Sequence, residues 1–264
     1  MNTAAILASM GRDLPDPLVI DTVAHGPWFQ MMWGETTLTD QQLGACDIGL
    51  MNLKAAIGLP GAENLNLDAC VRKLNAWAGQ VQIYTEENWH RFQRSPEDYD
   101  FSRGYFLMLA LVTFVQRRLG VRYNLSFSEG DYNATDSRNL FLHGILGGHG
   151  GTCATMPVLY AALAHRLGYP LYLVRAKEHM FARWEGPGTE RFNIECTSPG
   201  FRTPPDEHYH RWPKPLSTKD LAMKHYLRSL RPREALATFL AGRASCLIDH
   251  LRLGEALLSS CLAG

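Results

Sequence analysis

A glycine-rich loop, GGHGGTC at residues 147–153, runs into an apolar helical pattern and then into three short strand patterns, and this succession restricts the fold more than any other part of the chain. Gly147, Gly148, Gly150 and Gly151 lack the Cβ atoms that would obstruct a bound group, so backbone amides can approach one closely. MPVLYAALAHRLG then sets Val158, Leu159, Ala162, Leu163 and Leu167 on one helical face. YPLYLVRA reads as a buried strand, HMFARWE as an alternating one and RFNIECT as a third, with EGPG as the hairpin turn. One helix thus stands beside three adjacent antiparallel strands.

The flanking segments read as helical. Thr39 caps a predicted helix through DQQLGACDIGLMNLKAAIG, the turn GLPGAE follows, and Asn66 or Asp68 starts a second helix. The apolar face of that helix is Leu67, Cys70, Val71, Leu74, Trp77 and Ala78, closed by Gly79 and Val81. SPEDYDFSRGYFLMLALVTFVQRRLG holds a buried helix ending in Arg117, Arg118 and Gly120, since basic residues and glycine suit a helix C-terminus. VRYNLSFS is expected to be extended and GDYNATDSRN to turn. SPGFRTPPDEHYHRWPKP is expected to be irregular because each proline removes a backbone donor. From Ser217 the pattern is helical to the end, and RPREALATFLAGRASCLIDHLRLGEALLSSCL resembles one paired-helix unit of the tetratricopeptide kind. The expected organisation is a mainly helical region at 1–100, a core at 101–215 and a C-terminal helical region at 216–264.

Of the six cysteines, Cys153 alone has an unusual setting; the others lie in apolar patterns such as LDACVRKL, where cysteine behaves as a small hydrophobe. No CxxC pair or regular spacing points to a zinc ribbon or a disulfide framework, so reduced thiols in a cytoplasm are expected. A thiol at a helix N-terminus feels the positive end of the helix dipole, which lowers such pKa values to roughly 3.5 to 7.5, and thiolate at neutral pH is the expectation for Cys153. Nucleophilic attack on an acyl carbon also needs a proton carrier, and His179 opens a strand downstream. In RFNIECT the side chains of Asn193, Glu195 and Thr197 share one face, so Asn193 or Glu195 is placed to orient the imidazole. With Pro187 at the hairpin tip His179 lies opposite Glu195, which selects Glu195. Asn139 and His143 are candidate second oxyanion donors, with Asn193 the rival orienting residue and His149 a candidate substrate contact.

GTCATMPVLYAALAHRLGYPLYLV, HMFARWE and FNIECTSPG resemble the Cys, His and acidic blocks of the transglutaminase-like superfamily. NLKAAIGLPGAENLNLDACVRKLNAWAGQV and DSRNLFLHGILGGHGGTC resemble the leader and pre-nucleophile segments of its bacterial SirB-type branch, so the likeness spans roughly residues 40–215. The resemblance implies a papain-like α+β core with Cys153 as nucleophile, His179 as base and acid, and Glu195 orienting the imidazole where the family more often has Asp. It implies attack on an amide or related acyl carbon through a thioester, with proteases, amidases and acyl transferases among its members, as well as proteins that have lost catalysis. A scaffold that holds a protein through its C-terminal helices is therefore the alternative function.

Other classes find little support. Lys plus Arg equals Asp plus Glu at 26 each, and no charge run supplies the basic face that nucleic acid or an anionic membrane requires. The apolar stretch Tyr105–Val115 is about half the length of a membrane span, and MNTAAILASMGRDLPDP has no basic residue ahead of an apolar stretch too short for an export signal. Asp206, Glu207, His208 and His210 in DEHYHRW are not read as a metal site, because no HExxH or CxxC accompanies them. GGHGG lacks the GK[ST] of a phosphate loop, so no cofactor is expected, and the expected partner is a protein, peptide or amide substrate.

Overall fold

A computed structural model describes residues 26–124 and 136–263. The N-terminal segment, the second half of VRYNLSFS and most of the turn GDYNATDSRN lie outside those residues. In chain order the helices are α1 (Pro27–Thr36), α2 (Asp40–Gly44), α3 (Ile48–Ala55), α4 (Leu67–Arg94), α5 (Arg103–Thr113), α6 (Leu142–Leu146) and α7 (Met156–Arg166). Strands β1 (Leu171–Ala176), β2 (His179–Glu185) and β3 (Arg191–Ile194) follow, then α8 (Asp206–Tyr209), α9 (Thr218–Ala222), α10 (Pro232–Asp249) and α11 (Leu253–Ala263). This is an α+β core with helical extensions. Among the described residues no helix is long and apolar enough to cross a membrane.

The chain forms two compact units. The first comprises the described residues 26–67, 136–144 and 231–263. In it α10 and α11 pack on each other, α10 on α2 and α3, and α11 on α1. The single helix expected after Thr39 is instead two, because the Asp47 carboxylate accepts from the amides of Gly49 and Leu50 at 2.8 and 3.2 Å and starts α3 afresh. Buried Arg243 of α10 lies 3.7 Å from the Trp28 ring centroid and donates to the Ala55 and Ile57 carbonyls at 2.9 and 2.6 Å, capping the orphan acceptors at the end of α3.

The second unit comprises the described residues 68–124 and 145–230. Helix α4 runs well past Gly79, its expected end. One glycine costs a helix about 1 kcal/mol relative to alanine, and the buried stripe Leu74, Ala78, Val81 and Thr85 continues beyond it at spacings that keep one face inward. Helix α7 is buried from Met156 to Ala164 and packs on β1, β2 and α5. Such all-round burial marks the central element of the core. Gly104 of α5 lies under the Trp184 indole so closely that a Cβ there would come within 2.4 Å of Trp184 Cε2. Glu190 fastens this contact by accepting from Trp184 Nε1 at 2.7 Å, from the Gly104 amide at 3.2 Å and from the Ser102 hydroxyl.

The sheet is antiparallel in the order β1-β2-β3. Strand β2 was expected to alternate but is buried on both faces from His179 to Trp184. Tyr209 of α8 stacks on Phe181 at 3.8 Å and an interplanar angle of 4°, which covers the face that alternation would leave to water. Helix α8 itself corrects the expected irregularity of the proline-rich segment. Residues 223–231 are not helical either: Leu227 N–H and Leu230 N–H donate to Arg175 O at 2.9 Å and Leu173 O at 2.8 Å, so the chain returns along β1 and shields that edge.

Candidate active site

The turn that carries Cys153 is built by its neighbours. Gly151 N–H donates to Arg122 O at 2.8 Å and Asn124 N–H to Gly151 O at 2.7 Å, which ties the glycine loop to the segment after α5. A Cβ at Gly151 would come within 2.3 Å of Met156 Sδ, so a side chain there would have to displace the buried Met156. Thr152 and Thr155, both fully buried, then staple the turn: Thr152 N–H donates to Thr155 Oγ1 at 2.8 Å, and Ala154 N–H to Thr152 Oγ1 at 3.1 Å. Helix α7 starts only at Met156, so Cys153 lies in the turn before the helix and not at its head. Among the described residues the Cys153 amide donates to no other residue.

That placement overturns the expected thiolate. Burial pushes the Cys153 thiol up to about 11, and the negative charge of Glu195 pushes the same way, against a small opposing contribution from its own amide. Desolvation of the partly buried sulfur outweighs the helix dipole, whose influence is confined to the first turn.

His179 and Glu195 are brought together. His179 Nε2 lies 3.0 Å from Glu195 Oε2, and both side chains are 4% exposed. The register differs from the expected one by two residues: Arg183 faces Asn193 and Ala182 faces Ile194. In that register His179 and Glu195 are diagonal neighbours, a longer span than a direct pair. Strand β3 stops at Ile194, the Glu195 amide turns to Arg202 O at 2.9 Å, and the extra methylene of glutamate covers the remaining distance.

The carboxylate is fully engaged. Glu195 Oε1 accepts from Thr197 N–H at 2.9 Å and Thr197 Oγ1 at 2.5 Å, and Oε2 also accepts from the Tyr209 hydroxyl at 2.9 Å. Burial raises its pKa, but the His179 bond and charge and the Thr197 bonds outweigh it and hold the group below its ordinary value. With Nε2 committed to a carboxylate, Nδ1 is the ring nitrogen left to exchange a proton. No hydrogen bond joins His179 to the Cys153 thiol among the described residues. The imidazole is flanked by the Trp212 ring edge-on at 4.6 Å and by Tyr209 at 6.2 Å.

Asn193, the rival for orienting the imidazole, is used elsewhere. Its Oδ1 accepts from Arg183 Nε at 2.7 Å, and its Nδ2 donates to Asp206 Oδ1 at 2.8 Å and Pro204 O at 3.0 Å. Asp206 also accepts from Arg183 at 2.5 Å and from Arg191 at 3.1 Å. This network lets the Arg183 guanidinium sit buried on the same sheet face as His179. Among the described residues no group of His, Cys, Asp and Glu is arranged to hold a metal, and His208 instead lies against the Tyr209 and Trp212 rings.

His149 lines a cleft beside the glycine loop. Asn139 and His143 belong to the first unit, where Asn139 is buried and His143 Nε2 lies 3.2 Å from Ser137 Oγ. Burial lowers the His143 pKa, and its buried Nδ1 has no hydrogen-bond partner among the described residues. Tyr209 and Tyr123 were not singled out from sequence. Tyr209 sits three prolines beyond Glu195 and reaches it only because that segment folds back, and the tyrosine pattern itself carries no signal of it.

A family model described as the transglutaminase-like superfamily matches residues 68–241. No curated protein and no solved structure matches the chain.

Proposed function

The chain belongs to the transglutaminase-like superfamily, and from that premise we propose that it is a cysteine-dependent acyl hydrolase or transferase with Cys153 as nucleophile, His179 as base and acid, and Glu195 as the residue that orients His179. The observation that carries this reading is the buried His179–Glu195 pair, which leaves Nδ1 to work on a sulfur that lies within the field of the same carboxylate.

A thiol held in its neutral form makes His179 a general base at the moment of attack. The Cys153 sulfur forms a bond to the acyl carbon while its proton passes to His179 Nδ1, and Glu195 stabilises the imidazolium through Nε2–H. The carbonyl electron pair moves to oxygen, where the uncommitted Cys153 amide is one donor. Collapse returns that pair, breaks the bond to the leaving amine and gives it the proton from His179, so a thioester remains on Cys153. Water, deprotonated by His179, then attacks the thioester, and the thiolate that leaves recovers its proton as the acid is released. An amine in place of water yields a transferred acyl group. We take water as the acceptor and assign the chain to the SirB-type branch on its helical leader.

The test is direct. Incubation with a panel of peptide amides and glutaminyl peptides, followed by intact mass measurement, is expected to reveal an acyl adduct on Cys153 that neutral hydroxylamine removes. Added primary amine separates transfer from hydrolysis by its product. An adduct that persists in Cys153→Ala, or turnover undiminished by that change, overturns the assignment; a protein that binds these peptides with no adduct at all is the scaffold.

A further inference from the structure

A cleft of about 450 Å³ lies in the second unit on the flank of the glycine loop. Its wall includes Lys73, Trp77, Arg122, Tyr123, His149 and Gly150. It abuts the nucleophile turn, because Tyr123 is bridged to Gly151, two residues before Cys153. Among the described residues of this wall the charges are of one sign. Lys73 Nζ is held by the Leu146 carbonyl at 2.7 Å and lies 5.1 Å from the Trp77 ring centroid, and neither partner has a formal charge to cancel its own. The exposed Arg122 side chain forms no ion pair among the described residues, and no Asp or Glu appears among the described residues of the wall. The chain as a whole has equal numbers of acids and bases, so the cleft is a local asymmetry and not a reflection of net charge. Gly148 and Gly150, at φ of +87° and +89°, add backbone without side chains to the wall.

We infer that this cleft selects acyl substrates whose reacting amide is flanked by carboxylate side chains, that is, acidic peptide segments. The inference rests on the thiol-enzyme reading only for what happens next to the cleft; recognition itself needs no turnover. An uncompensated lysine and an arginine beside a focusing concavity attract anions and repel basic segments. Carboxylates are preferred over phosphate here because the described residues of the wall include no helix start, whose amides are the ready site for phosphate.

The experiment uses the full chain carrying Cys153→Ala, so that binding is read without chemistry. Calorimetry compares a peptide with glutamine between glutamates, the same peptide with lysines, and one with phosphoserines. The glutamate peptide is expected to bind most tightly and to weaken as salt rises. Arg122→Glu, on an exposed side chain, is expected to weaken the glutamate peptide by roughly three- to tenfold and to strengthen the lysine peptide. Equal binding of the glutamate and lysine peptides, tighter binding of the phosphoserine peptide, absence of binding by all three, or indifference to Arg122→Glu overturns the inference. Any of these outcomes leaves the acyl-adduct test on the unmodified protein intact, and failure of that test leaves the binding result standing.

Discussion

If burial and the Glu195 charge hold the Cys153 proton in place, the alkylation of this thiol should rise with pH far later than that of an ordinary cysteine. With the thiol near 11, thiolate at pH 7 is about one part in ten thousand, against a few per cent for a free thiol near 8.5. The more basic thiolate is more nucleophilic by about tenfold, so the net rate at pH 7 is about thirtyfold below that of a free cysteine. The assay is iodoacetamide labelling from pH 6 to 10.5 with peptide-level mass spectrometry, the exposed Cys261 serving as internal reference. Slow access to a partly buried sulfur lowers all rates together, so the midpoint of the pH curve is the decisive quantity. Glu195→Gln supplies a second arm whose sign separates two mechanisms. Removing a like charge from a neutral thiol lowers the midpoint and speeds labelling at pH 8. Removing it from a preformed thiolate–imidazolium pair weakens the imidazolium and slows labelling. A Cys153 rate that is already on a plateau below pH 8, or a slower Glu195→Gln protein, refutes the argument that desolvation governs this thiol.

Glu195→Asp, although it introduces the residue the family more often carries, is expected to withdraw the carboxylate from the diagonal His179 and to lower kcat/KM by about a hundredfold, measured on whichever amide forms the acyl adduct. Tyr209→Phe keeps the stack on Phe181 but removes one donor from Glu195, so it should cost about 1 kcal/mol in urea melts and move the acid limb of the pH–rate profile to higher pH; an unmoved limb would show that Tyr209 is structural only. Gly104→Ala drives a methyl into the Trp184 indole and is expected to cost about 1–3 kcal/mol, read as a fall in Tm. For Asp206, burial raises the pKa but the Asn193, Arg191 and Arg183 interactions hold it below its ordinary 3.8; the stability this contributes is complete above that value and is lost as pH falls through the lower folded one. Asp206→Asn should accordingly be the less stable protein at pH 6 and approach the parent as the pH falls below 3.8, as urea melts across that range will report.

Local chemistry made much of this protein legible without coordinates. Glycines before Cys153, the apolar period of 156–166 and the EGPG turn specify loop, helix and hairpin through neighbours only a few residues apart, and these elements are all present. Strand parity put Asn193 and Glu195 on one face, because side chains alternate along a strand, but whether His179 shares that face depends on the register. The choice between Asn193 and Glu195 belonged to the tertiary structure. It depended on a register set by the whole hairpin, on Arg183 and Asp206 drawing Asn193 away, and on Tyr209 arriving from beyond a run of prolines to meet Glu195. The state of Cys153 was decided there too: a cysteine before a helix reads as an activated thiol, but the free energy of a charge depends on what surrounds it, and here those surroundings are a buried turn and a facing carboxylate that no local pattern in the chain encodes.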